Sequence, residues 1–273
     1  MQNKLVTASY IHKEIGFAGV AHAVSATLNT GEGLDLHVAA VSQKTEFDLD
    51  GDTPRVALIS FLTGLQSRKA NKIDKIIEAG VLQAAESVKK FIDRRGGSTC
   101  SLTAAIIHNN SLFTVQIGPG KILLRENQQL TNPNEDREKL YPTAVLLGSA
   151  DHYPIDQINL HEIGKINSVQ SSAILVCQST LATNILEQQA PFNEVFENIS
   201  AKHQVRAIPK KLAEWAKINL HTNELTLASI HTQQKKYVDF FTITESLLTT
   251  TNDISTTLVP SNSRVHAEVP LKI

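Results

Sequence analysis

The residues Ile174-Leu175-Val176-Cys177-Gln178-Ser179-Thr180-Leu181 run from a short apolar segment through three polar residues into helical spacing. Residues 172–177 are too few for a buried helix and read as a strand, and the polar residues after Cys177 mark its end. Downstream, helical patterns occupy residues 181–189, 192–202 and 209–219, with Pro209 suited to a helix N-terminus, before residues 225–230 return to strand. Upstream, residues 99–108, 112–117, 122–125 and 144–147 read as further strands. Asn109-Asn110, Gly118-Pro119-Gly120 and a polar loop around Asn132-Pro133-Asn134 separate them, which predicts hairpins of an antiparallel sheet.

Farther back, Ile73, Ile76, Ile77, Val81, Ala84, Val88 and Phe91 recur at three- and four-residue spacing, the stripe of a long amphipathic helix over about residues 68–93. Arg94-Arg95-Gly96-Gly97 closes it, with cations at the C-terminus and glycine just past it. Residues 34–41 and 55–61 are apolar runs around Asp50-Gly51 and read as two strands about a turn. With no internal repeat and no heptad, strands grouped against helices give an α+β class. One domain over residues 1–245 is the simplest division; residues 237–243 hold one more strand candidate, and 246–273 are Thr-, Ser-, Asn- and Pro-rich, a tail or linker.

The 273 residues include 26 Lys and Arg against 27 Asp and Glu, a net charge of −1, which argues against a strongly basic nucleic-acid binder. At 41% hydrophobic and 19% charged, the chain can bury a sizeable core and is not disordered. Only 5% of residues are aromatic, too few for base-stacking platforms. Cys100 and Cys177 each sit in an apolar run, the usual home of an unpaired structural thiol. No apolar run approaches the ~20 residues of a membrane span and the start lacks a secretory leader, so a cytoplasmic location is expected. A longer natural protein with segments beyond Ile273 stays compatible with this.

Chemistry-bearing motifs are sparse. His161-Glu162 opens like a zincin helix, but Lys165 stands where the second His belongs. Asp48, Asp50 and Asp52 alternate as in a cation-binding loop, yet Gly51 and Ile59 break the EF-hand pattern, and an exposed acidic turn is the simpler reading. Gly96-Gly97-Ser98-Thr99 lacks the lysine of a phosphate loop and follows a helix, as a helix stop does. Cys177 has no basic neighbour in sequence to activate it.

Several segments nevertheless occur in a particular order. Gly97-Ser98-Thr99 leads into an apolar strand, residues 112–124 carry a turn at Gly118-Pro119-Gly120, and Leu130-Thr131 precedes a polar loop. Thr143 to Gly148 follows, then the strand ending in Gln178-Ser179-Thr180-Leu181, then a helix with Leu212, Ala213 and Ala216, and Asn223-Glu224-Leu225-Thr226. This order resembles the metal-dependent Ser/Thr protein phosphatases of the 2C type, the PPM family. Residues 58–65 with the long helix after them look like that family's Asp-Gly-Met-Gly-Gly turn and its following helix, so the resemblance spans about residues 34–231. It implies a four-layer α-β-β-α sandwich, two packed antiparallel sheets flanked by helices.

The resemblance also implies a site, and the departures fall there. The family's aspartates at strand ends bind two divalent metals that activate a water for attack on a phosphate ester. Here Phe61 and Leu62 stand at the places of the first Asp-Gly, Ser179 and Thr180 at those of the second, and Asn223 and Glu224 at those of the closing Asp-Asn. Replacing a carboxylate by phenylalanine removes charge and oxygen donors together, so no catalytic residue and no metal cofactor are expected. The expected function is that of a pseudophosphatase, a protein-interaction or regulatory module with an unidentified protein partner and no nucleic acid. The alternative is a divergent phosphoprotein phosphatase holding Mn²⁺ or Mg²⁺ through Asp48, Asp50 or Glu224; a third reading is an unrelated α+β binding domain.

Overall fold

The computed structural model describes residues 4–11, 21–44, 52–70, 72–109, 111–136, 146–149, 158–161 and 173–233. One sheet has the order β1-β10-β9-β6-β7, built from β1 (Lys4–Tyr10), β6 (Lys121–Glu126), β7 (Gln129–Thr131), β9 (Ala173–Cys177) and β10 (Leu227–Gln233). The second has the order β2-β3-β4-β5-β8, built from β2 (Ala21–Asn29), β3 (Asp35–Gln43), β4 (Leu102–His108), β5 (Ser111–Ile117) and β8 (Ile158–His161). Every pairing is antiparallel.

Strand alternation divides the interior into three apolar layers. In β3, Ala39 and Val41 turn toward the other sheet and meet Ile174, Val176 and Ile230. The intervening Val38 and Ala40 turn outward to α1 (Thr53–Ser67) and α2 (Ile73–Arg95). On the far side, Leu123, Leu175 and Leu227 pack under α3 (Ser179–Glu187), α4 (Gln189–Lys202) and α5 (Ile208–Asn219). The result is the expected α-β-β-α sandwich. Small residues allow close approach in the outer layer: a Cβ on Gly64 of α1 would lie 2.7 Å from Gly80 Cα of α2. Gly96 ends α2 at φ +75°, its N–H bonding to the Ile92 carbonyl, as Arg94-Arg95-Gly96 predicts.

Two expectations are corrected. Residues 55–61 are not a strand but the first half of α1. Asp52 caps its N-terminus, accepting from the Arg55 N–H at 3.4 Å, and Pro54 fits its first turn, so an apolar run that suits either period is committed to helix. Strands β5 and β6 do not form a hairpin either, because they belong to different sheets. The chain crosses at Gly118-Pro119-Gly120: Gly118 takes φ +86°, and a Cβ there would lie 2.7 Å from Ser101 Cβ, so only glycine lets the crossing press against the start of β4. The hairpin expected from residues 99–117 is present as β4–β5, closed at Asn109 with φ +48°. Leu147 makes an isolated bridge to Cys100; residues 144–145, 237–243 and the tail from 246 lie outside the described residues. Among the described residues, no helix is long and apolar enough to cross a membrane.

Candidate functional site

The crossing at Gly118–Gly120 marks one end of the sandwich, where both sheets present strand ends. A Cβ on Gly120 would meet the Thr103 side chain of β4 and lie 3.5 Å from the Cys177 carbonyl at the end of β9, so the two sheets meet at this glycine. Cys177, Lys121 and Leu227 share one register across β6, β9 and β10. On the other sheet, Lys44 follows β3 and bridges Cys100 before β4.

On the first sheet, β9 delivers its chain to α3 and the loop before β10 runs alongside. Gln178 is buried, and its Oε1 accepts the Thr226 N–H at 2.9 Å. The Glu224 carboxylate accepts the Thr180 N–H at 2.9 Å, while the Glu224 N–H donates to Thr222 Oγ1 at 3.2 Å. Thr180 lies in the first turn of α3, so Glu224 caps that helix from a neighbouring loop. Ser179, Thr180, Asn223 and Glu224, four of the residues singled out in the sequence, are thus brought together, with Asn223 exposed.

Phe61 and Leu62 do not join them. They lie in the middle of α1, and Phe61 is fully buried against Gly80 of α2, so residues 58–65 are helix and not a turn at the site. Asp48 and Asp50 lie outside the described residues.

What the second sheet brings to this end is the start of α1. Asp52 Oδ1 is 2.9 Å from His22 Nε2 of β2, and its Oδ2 is 2.9 Å from Arg55 Nε. Burial opposes ionisation of the Asp52 carboxyl, but the His22 hydrogen bond and the charges of His22 and Arg55 outweigh it and hold the group below its usual range. Thr53 Oγ1 donates to the Ser98 carbonyl at 2.9 Å, and Ser42 Oγ donates to the Ser101 carbonyl at 2.5 Å. Both hydroxyl side chains also reach Cys100, whose thiol burial pushes up to about 12. Cys177 is pushed up to about 12 by burial alone, and both cysteines are free, so neither is an activated nucleophile.

His22 and Lys44 stand at this end of the sandwich and were not singled out by the sequence. Asp52-Thr53-Pro54 carried a helix-start signal, but nothing local ties His22 to a carboxylate thirty positions on. Lys44, just past the end of β3, is 6% exposed, an uncommon burial for a lysine. Among the described residues, no group of three or more His, Cys, Asp or Glu side chains is placed to hold a metal ion. Among the described residues the donors do not fit a two-metal centre: Glu224 and Gln178 are committed to backbone amides, and Asp52 to His22 and Arg55.

Comparison with solved structures finds the same architecture in bacterial Ser/Thr phosphatases. PppA of Pseudomonas aeruginosa, described as a key regulatory component of T6SS, superposes with a TM-score of 0.53 at 12% identity, covering 85% of this chain and 98% of that one. The S. agalactiae serine/threonine phosphatase gives a TM-score of 0.57 at 11% identity over 85% of this chain and 98% of that one. Stp1 of Staphylococcus aureus gives 0.57 at 7% identity, covering 86% and 96%. At such identities the likeness is one of fold. No protein-family model and no curated protein matches the sequence.

Proposed function

We propose that this phosphatase 2C fold serves without the chemistry, as a pseudophosphatase whose task is to bind and regulate a protein partner in the cytoplasm. The observation that carries the reading is the fate of the Glu224 carboxylate. At the end of the sandwich where the resemblance puts metal-binding acids, the described first-sheet carboxylate caps α3 through the Thr180 N–H, beside Ser179 and Asn223. A carboxylate engaged with a helix N-terminus gives up part of its charge to that end, and serine and asparagine carry none. Two-metal activation of water needs several anionic oxygens converging within about 2.0 to 2.6 Å of each ion. On the second sheet the described groups set Arg55 and His22 against the Asp52 carboxylate, which favours a site that functions without divalent metal.

The test is hydrolysis of p-nitrophenyl phosphate by the full chain across a Mn²⁺ and Mg²⁺ titration, beside a double variant Asp48→Ala, Glu224→Ala. Absence of turnover at every metal concentration is expected. Metal-dependent turnover that disappears in the double variant would establish instead a divergent phosphatase with a rebuilt site.

A further inference from the structure

The geometry points to a polar cluster made by the chain itself, Asp52 held between His22 and Arg55, that cross-links this end of the sandwich in place of divalent metals. The residues come from separate elements: His22 opens β2, Lys44 follows β3, and Asp52 and Arg55 flank the start of α1. Asp52 Oδ1 lies 2.9 Å from His22 Nε2 and Oδ2 lies 2.9 Å from Arg55 Nε, and Oδ1 also takes the Arg55 N–H. Lys44 is fastened to the start of β4 through its bridge with Cys100, and Thr53 reaches the same segment through the Ser98 carbonyl. Strand β2 and the start of α1 therefore meet at the Asp52 carboxylate, with the segments after β3 and before β4 tied alongside.

The cost of removing charge from water explains why such a cluster has to be complete. An ammonium or carboxylate buried without a partner is strongly unfavourable, so losing one member exposes the others to that cost. A metal centre meets the same requirement by placing cations among carboxylates. Here the Arg55 guanidinium supplies the positive charge, which stays in place whatever the metal concentration. The inference rests on the metal-free reading of the site and adds to it: the folded state is indifferent to divalent ions and sensitive to its own charge pairs.

Thermal melts of the full chain test this without reference to turnover. A metal supplied at about a hundred times its Kd would raise Tm by roughly 5 to 10 °C in a protein of this size. With about 5 mM MnCl₂ or with EDTA in its place, the expected Tm differs by less than about 1 °C. A rise of roughly 5 °C or more overturns the proposal and shows that the acids between Lys44 and Asp52, namely Glu46, Asp48 and Asp50, recruit a metal. The second arm is a double-mutant cycle of Asp52→Asn and Arg55→Met. The Tm loss of the double variant is expected to be clearly smaller than the sum of the single losses, and the difference to shrink in about 1 M NaCl. Strict additivity also overturns the proposal. A Mn²⁺-dependent Tm without turnover sinks this inference alone; Mn²⁺-dependent turnover sinks the pseudophosphatase reading and this inference with it.

Discussion

Acid should weaken this fold through one histidine well above the pH at which carboxylates titrate. His231 of β10 is 4% exposed, its Nε2 lies 2.7 Å from Ser229 Oγ, and its ring stacks on Phe196 of α4 at 5.9 Å between centroids. Arg125 of β6 sits over the opposite partner of that stack, its guanidinium 4.5 Å from the Phe196 centroid. Burial, and then the Arg125 charge, push the imidazole down from 6.5 to about 4. The unfolded chain therefore binds a proton at His231 that the folded chain refuses, so stability is full above about pH 6.5 and falls as pH drops toward 4.

At about 1.4 kcal/mol per pH unit, the separation amounts to about 2 kcal/mol lost by pH 5 and about 3 kcal/mol by pH 4. Urea denaturation at about pH 7.5 and pH 5 measures it, with a His231→Gln variant that keeps a polar side chain but cannot titrate. The wild type should lose about 2 kcal/mol more than the variant between those pH values. Equal losses in the two proteins would refute the assignment of the acid sensitivity to His231, because every other group is shared.

Three further outcomes are expected. Gly64→Ala puts a methyl group 2.7 Å from Gly80 Cα and 2.8 Å from the Ala79 carbonyl, contacts with backbone that no rotamer relieves; calorimetry should show a lower Tm, from strain of about 1–3 kcal/mol that outweighs the gain in helix propensity. Glu224→Ala should cost about 1 kcal/mol in urea denaturation and Glu224→Gln clearly less, since the amide oxygen can still accept from Thr180; equal losses would remove the capping role. Cys100 and Cys177, with thiols pushed up to about 12, should resist iodoacetamide at neutral pH until the protein is unfolded in denaturant, which mass spectrometry of the labelled chain detects.

The legible parts of this chain were those whose information is local. The stripe from Ile73 to Val88 and the Arg94-Arg95-Gly96 stop determine α2 because period and cap agree. The short apolar run read as a strand over 172–177 is β9, Ala173–Cys177. Residues 55–61 misled because Val56, Ala57, Leu58 and Ile59 satisfy both periods, and the deciding signal, Asp52 with Pro54, lies upstream of the run. The Gly118-Pro119-Gly120 turn looked like a hairpin because a turn signal reports a change of direction but not the sheet that receives the next strand. At the site, the approach of Thr180 and Glu224 was among what the resemblance to the 2C-type phosphatases implied, while Phe61 and Leu62 were expected there too and lie in α1 instead. The His22–Asp52 contact and the buried Lys44 were not implied, since pairing between distant segments leaves no periodic trace.

The pairing of the first described strand with the last carries a consequence for how the molecule is made. Val6 lies opposite His231, so 225 residues of chain separate partners that hydrogen-bond in one sheet. At roughly 5–20 residues per second, β1 waits on the ribosome for about 11 to 45 seconds before β10 is synthesised. During that time β2, β3 and β4 can pair among themselves, whereas β1 and its neighbour β10 in the first sheet are far apart in the chain. A nascent chain therefore carries an unclosed apolar face late into translation, and its yield in the cell should depend on chaperone supply more than on the equilibrium stability of the finished protein.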